Sequence, residues 1–82
     1  MSLPDTSRLR WRCRRGTREL DVLLRWWLDE RYTMADSAAR EDFAALLEAQ
    51  DPDLWDWLIG HGEPDNPRLG AIVDEIRNYS RV

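Results

Sequence analysis

The sequence predicts an all-α protein, a compact five-helix bundle forming a single domain over residues 1–82, with residues 1–5 as a flexible N-terminus. Three observations favour this fold. Apolar residues recur at helical spacing, no stretch of five or more residues alternates apolar and polar side chains, and 82 residues leave room for one core. A hydrophobic content of 43% with five tryptophans argues against disorder.

Helical periodicity is clearest in the second predicted helix. Its apolar residues fall at positions i, i+3, i+4, i+7 and i+8, on one face of a helix: Leu20, Leu23, Leu24, Trp27 and Leu28. Shorter stripes of the same kind predict the other four helices. The expected bounds are 6–14, 17–31, 37–49, 52–60 and 67–79. Because the connections are short, consecutive helices must fold back on one another.

Capping residues, prolines and glycines mark the predicted helix ends. A short polar side chain directly before a helix accepts a hydrogen bond from its first turn, and proline is tolerated just inside it. The expected caps at helix starts are Asp36 or Ser37, Asp51 and Asn66. Glycine readily adopts the left-handed conformation that often ends a helix. Gly16 is therefore expected to end the first helix, and Gly60 and Gly62 the fourth.

The net charge of −4 conceals an uneven distribution along the chain. Residues 1–18 carry six arginines and one acid, a charge of +5, whereas residues 19–82 carry six arginines and fifteen acids, a charge of −9. All twelve basic residues are arginine. A basic end on an acidic body favours a partner-binding role for that end. A genomic bias towards GC-rich codons is at least as good an explanation for the use of arginine in place of lysine as a binding role.

The sequence lacks the patterns typical of enzymes. It has no glycine-rich phosphate loop, and no serine, threonine or cysteine lies near the single histidine, His61. One cysteine and one histidine far apart do not predict a metal site. We therefore expect no catalytic residues, no metal and no tightly bound cofactor.

The single cysteine, Cys13, is expected to be a small buried hydrophobe on the same helix face as Leu9, and not a reactive thiol. It cannot form an internal disulfide. No apolar run approaches the roughly 20 residues that span a bilayer, so no direct membrane insertion is expected. The absence of a clear transit peptide favours a bacterial cytoplasmic setting.

The five tryptophans fall into three groups. Trp27 and Trp57 lie on apolar stripes and are expected in the core, while Trp26 and Trp55 lie beside them and are expected to be partly buried at best. Trp11 lies among arginines, off the apolar face. It is either a contact anchor for a partner or a platform on which its own arginine neighbours stack.

The sharpest local feature is the segment 14–21, with the sequence Arg-Arg-Gly-Thr-Arg-Glu-Leu-Asp. It joins the basic first helix to the strongly amphipathic second helix. Basic residues at a helix C-terminus and acids at a helix N-terminus are both stabilising, which is a sufficient structural explanation. A protruding corner with charges of both signs would equally suit contact with a partner.

This segment resembles the signature of the SdhE family, also called succinate dehydrogenase assembly factor 2. The signature, Arg-Gly-x-x-Glu, falls without departure on Arg15, Gly16 and Glu19. The similarity extends over almost the whole chain, at the family's length. It continues through residues 8–14, 20–21, 46–48, 51–54, 57–58 and 61–62.

The resemblance implies a small five-helix bundle that is an assembly factor and not an enzyme. Such factors promote covalent attachment of FAD to a histidine of the succinate dehydrogenase flavoprotein subunit, and in bacteria also of the related fumarate reductase. The FAD and the chemistry then belong to the partner, so His61 is not implicated. The resemblance carries over Arg15, Gly16 and Glu19 as partner-binding residues. Weaker contact candidates are Arg18, Arg8, Arg10 and Trp11.

Two other classes of function remain open at this point. An arginine-rich first helix with Trp11 could bind nucleic acid, although an isoelectric point near 4.9 counts against it and no nucleic-acid partner is expected. A helical interaction module with an unrelated protein partner would also fit the pattern.

Overall fold

The computed structural model describes residues 6–80, and this part of the chain contains five α-helices and no strand. The helices are α1 (Ser7–Arg12), α2 (Arg18–Glu30), α3 (Ser37–Leu46), α4 (Asp51–Leu58) and α5 (Pro67–Ser80). A short 3₁₀ helix, Tyr32–Met34, lies between α2 and α3. The prediction of an all-α, five-helix fold is confirmed. The expected flexible N-terminus, residues 1–5, lies outside the described residues.

A single apolar core connects the helices. Helix α5 packs against α2, α3 and α4, and α1 packs against α2. The buried core residues are Cys13, Leu20, Leu24, Trp27, Leu28, Phe43, Leu46, Leu47, Leu54, Leu58, Ile72, Val73 and Ile76. Helix α1 itself buries no residue fully, so it is attached mainly through half-buried Leu9 and through Cys13 at its C-terminal cap. Over residues 6–80, no helix is both long enough and apolar enough to span a membrane.

Trp27 lies at the centre of this core, as its stripe predicts. Its ring stacks on Phe43 at 4.5 Å and meets the Tyr32 ring edge-on at 6.3 Å. Its indole N–H donates to a Glu75 carboxylate oxygen at 3.3 Å, so the buried ring keeps a polar partner. The matching prediction for Trp57 is wrong, because that side chain is only half-buried. It packs against the edge of the core, close to Gly62.

The helix starts follow the predicted caps at two of three places. The Asp36 carboxylate accepts from the Ala39 N–H at 2.8 Å, and the Asn66 side-chain oxygen accepts from the Arg68 N–H at 2.9 Å. The expected cap at Asp51 is wrong. Gln50 takes the cap position and Asp51 is the first residue of α4. The Asp51 carboxylate faces an arginine from another part of the chain instead of the amides of its own helix.

Gly60 ends α4 as expected, with φ +86°. Its N–H donates to the Trp57 carbonyl and the His61 N–H donates to the Asp56 carbonyl, the pair of bonds that closes a helix with a left-handed residue. The corresponding prediction for Gly16 is wrong in detail. Helix α1 stops at Arg12, and Gly16 lies further on, in the link to α2, with φ +84°.

Gly60, in the left-handed conformation, and Gly70, inside helix α5, should respond in opposite ways to substitution by alanine. We expect Gly60→Ala to lower the free energy of unfolding by about 1 kcal/mol, since a side chain disfavours the left-handed conformation. We expect Gly70→Ala, inside α5, to raise it by about 0.5–1 kcal/mol, because alanine is the better helix former. Neither added methyl group meets a neighbouring atom within 4 Å. Urea unfolding of both variants measures the difference, and equal effects would contradict the left-handed conformation assigned to Gly60.

Candidate partner-binding surface

The link between α1 and α2 forms an exposed corner around Gly16. The left-handed backbone at Gly16 turns the chain before α2 begins. A side chain added there would project into open space, with no heavy atom within 4 Å of its first carbon. The corner is therefore a place where a partner can approach the backbone closely.

Asp21 holds this corner against the start of α2. Its carboxylate accepts a hydrogen bond from the Arg15 backbone N–H at 2.6 Å. Thr17 occupies the cap position of α2, but its side chain makes no capping hydrogen bond. The conformation of the link is thus fixed by a charge-assisted bond from inside the helix.

The Arg15 side chain turns inward, across to the link between α3 and α4. Its guanidinium donates to the Leu47 carbonyl, to the Ala49 carbonyl at 3.4 Å and to the Asp51 carboxylate at 3.4 Å. Only 16% of the side chain is exposed. Arg15 therefore ties the corner to the start of α4, a structural task that its sequence pattern did not indicate.

Arg18 and Glu19 lie exposed in the first turn of α2, at one end of a shallow groove between α2 and α4. The groove has a volume of about 430 Å³. The remaining residues that line it are apolar: Val22, Leu23, Trp55, Leu58 and Ile59. The two charged residues thus border an apolar surface.

A second depression, between α1 and α2, is basic. Arg10 and Trp11 line it together with Arg14 and Arg25. Arg10 is paired with Asp29 at 2.7 Å, and the Arg14 guanidinium lies 5.6 Å from the centre of the Trp11 ring. Trp11 remains 70% exposed even so, which makes it available for contact.

The predicted site residues therefore fall into separate places. Arg10 and Trp11 lie in the basic depression, while Arg18 and Glu19 lie at the groove. Gly16 forms the corner and Arg15 is turned inward. Arg8 is exposed on α1 but does not line either depression.

Three exposed groove residues, Val22, Trp55 and Ile59, were missed by the sequence reasoning. The sequence did indicate an exposed apolar surface, because all three are large apolar residues that lie off the buried stripes. Trp55 and Ile59 are also spaced i, i+4 and so share a helix face. Trp55 was expected to be partly buried at best, and it is 38% exposed.

Cys13 lies beneath the corner as a free, fully buried thiol. Burial raises its pKa from 9.0 to about 11, against the opposing effect of Arg15 and Arg10. The prediction of a small buried hydrophobe at this position is confirmed. Within residues 6–80, no group of three or more histidine, cysteine, aspartate or glutamate side chains is placed to hold a metal ion.

A small helical bundle with an open corner, a basic depression and an apolar groove has the features of a protein-interaction module. Comparison with known proteins is more specific. Residues 7–80 match the family described as flavinator of succinate dehydrogenase, and the chain belongs to this family. The prediction of an assembly factor rather than an enzyme is confirmed by that membership.

Several bacterial relatives are similar to the chain over nearly its full length. It is 44% identical over 78 residues to the FAD assembly factor SdhE of Vibrio cholerae, covering 93% of this chain and 91% of the relative. Identity to the FAD assembly factor SdhE of Photobacterium profundum is 41% over 76 residues, covering 93% and 86%. Identity to the FAD assembly factor SdhE of Yersinia pseudotuberculosis is 36% over 82 residues, covering 100% and 93%.

The inward position of Arg15 predicts a stability effect that exposed Arg18 lacks. We expect Arg15→Lys to lower the free energy of unfolding by about 1–2 kcal/mol, because an ammonium group cannot bridge two carbonyls and a carboxylate as the planar guanidinium does. Arg18→Lys is the matched control and should change it by less than about 0.5 kcal/mol. Urea unfolding measures both. An unchanged free energy of unfolding for Arg15→Lys would contradict a stabilising role for the Arg15 contacts with Leu47, Ala49 and Asp51.

The buried thiol predicts a pH dependence. Because folding raises the pKa of the Cys13 thiol, the folded state holds this proton more tightly than the unfolded state. The contribution of the thiol to the free energy of unfolding is therefore fully present below about pH 9 and is lost as the pH rises towards 11. We expect the wild-type protein to lose about 2 kcal/mol more than Cys13→Ala between pH 8 and pH 11. Urea unfolding at each pH tests this. Parallel curves for the two proteins would show that the thiol does not contribute.

Proposed function

We propose that this protein promotes covalent attachment of FAD to the flavoprotein subunit of succinate dehydrogenase, and to that of the related fumarate reductase. It does so by binding the subunit and holding a conformation in which the flavin and the acceptor histidine are aligned. FAD is held by the partner. Family membership and the names of the relatives support this proposal.

The structural observation that carries the proposal is the open corner at Gly16. The first turn of α2, directly after the corner, presents Arg18 and Glu19. Neither side chain makes an ion pair or hydrogen bond to another residue within 6–80. Charged side chains without internal partners beside an accessible backbone suit contact with another protein. Arg8, Arg10 and Trp11 extend this contact along α1.

The corner acts through binding and orientation. Aligning two reacting groups can lower a barrier by several kcal/mol without any chemical group from the assembly factor. A shift towards the competent conformation requires tighter binding to that conformation than to others. Arg15 contributes by fixing the corner from within, so that Gly16 and Glu19 are presented in one arrangement.

Flavinylation in vitro tests the proposal. The flavoprotein subunit lacking covalent flavin is incubated with FAD, a dicarboxylate and the assembly factor, and covalent flavin is measured as fluorescence that survives denaturation. We expect acceleration by the wild-type protein and at least a tenfold loss with Gly16→Arg, because the arginine side chain occupies the space that the partner needs. Glu19→Gln should slow the reaction, since it removes the charge and keeps the shape.

Matched variants separate contact from misfolding. Gly16→Ala imposes the same backbone strain as Gly16→Arg but adds little volume, so it should retain most of the activity. Glu41→Gln alters an exposed glutamate on α3, away from the corner, and should behave as wild type. If the wild-type protein neither binds the subunit nor accelerates attachment, the proposed function is wrong. If Gly16→Arg is as active as wild type, the corner is not the contact surface.

A further inference from the structure

The groove between α2 and α4 has an apolar lining that the fold leaves uncovered. Val22 forms one wall, and Trp55 and Ile59 form the other, with exposures of 49%, 38% and 42%. Leu23 and Leu58 continue this surface down to the core. Three large apolar side chains therefore meet at one place on the surface.

This concentration differs from the other exposed apolar residues of the described chain. Tyr79 stacks on Trp26 at 4.2 Å, and Trp11 lies in the basic depression beside Arg14, so neither belongs to the groove. Met34 is 80% exposed and isolated from the groove. An apolar patch with a polar rim is characteristic of an interaction site, whereas a single exposed residue is not.

The charges at the groove define what it can accept. Glu19 and Arg18 lie at one end, and both lack internal ion pairs within residues 6–80. A partner that covers the groove must supply a cation for Glu19 and an acceptor for Arg18, because either charge would lose hydration without compensation. The complementary surface is thus an apolar side chain flanked by groups of both signs.

Arg15 gives the groove a fixed shape. Its backbone N–H is bound to Asp21 on α2, and its guanidinium is bound to Asp51 at the start of α4. Trp55 lies one helical turn beyond Asp51, so the same residue holds both walls. A preformed groove binds with little ordering cost.

We infer that this groove is a docking site for an apolar side chain of the flavoprotein subunit, on a segment whose neighbouring basic residue pairs with Glu19. The inference rests on the proposed function and assigns contact roles to Val22, Trp55 and Ile59. It extends the contact from the corner at Gly16 onto α4.

Binding of the flavin-free subunit to two glutamine variants tests the groove. Ile59→Gln removes apolar contact within it, and Met34→Gln is the matched control at an exposed aliphatic residue elsewhere. We expect Ile59→Gln to weaken binding about tenfold in titration calorimetry, and Met34→Gln to leave it unchanged. Thermal unfolding followed by circular dichroism should give both variants a near wild-type transition, because both side chains are exposed.

A second measurement does not depend on a variant's stability. In ¹⁵N-labelled wild-type protein, the indole N–H resonance of Trp55, assigned with Trp55→Phe, should shift or broaden on addition of the subunit. Glu19→Gln should weaken binding and reduce its dependence on salt, as expected for the loss of an ion pair.

The outcomes separate this inference from the proposed function. If wild type and Ile59→Gln bind and accelerate flavinylation equally, the groove is not the docking site, and the proposed function stands. Equal weakening by Ile59→Gln and Met34→Gln also overturns the inference. If the wild-type protein sediments as a dimer that Ile59→Gln dissociates, the groove is occupied by a second copy of this chain. If wild type neither binds nor accelerates, the function itself fails.

Discussion

The contact between the Arg15 guanidinium and the link from α3 to α4 governs the arrangement of the corner at Gly16 and of the neighbouring groove between α2 and α4. The carbonyls of Leu47 and Ala49 follow the C-terminal end of α3, and the Asp51 carboxylate opens α4. Helix C-termini and carboxylates are both negative, and here they meet in one place. A delocalised cation with several donors satisfies them together, which a lysine could not do. Arg15 thereby joins the link between α1 and α2 to the link between α3 and α4.

The structure places Arg15, Gly16 and Glu19 in three different environments. Arg15 acts inside the protein, where its side chain is largely buried. Gly16 provides a left-handed turn with open space in front of it, and Glu19 presents an exposed carboxylate in the first turn of α2. Gly16 lies in the link, and Glu19 lies on the exposed side of the first turn of α2, beside the groove that α4 completes.

Much of the fold could be predicted because helical periodicity is a local property. The stripe through Leu20, Leu24 and Trp27 placed α2 correctly, and two polar caps marked helix starts as expected. What could not be predicted depends on contacts between distant residues. Asp51 does not cap α4 but contacts Arg15, which lies 36 positions away in sequence. The groove was missed for the same reason, since Val22 on α2 and Trp55 on α4 line one groove only in the folded chain.

The basic end of the sequence makes ion pairs within the protein and also remains largely exposed. Helix α1 buries no residue fully, so it has little apolar surface to hold it. Two of its three arginines also pair with acids elsewhere in the protein, Arg10 with Asp29 at 2.7 Å and Arg12 with Glu48 at 3.7 Å. Exposed pairs of this kind are each worth little, so they add only modestly to the packing of Leu9 and Cys13 against the core. Part of the positive charge of residues 1–18 is therefore neutralised within the protein, by Asp29, Glu48 and Asp51.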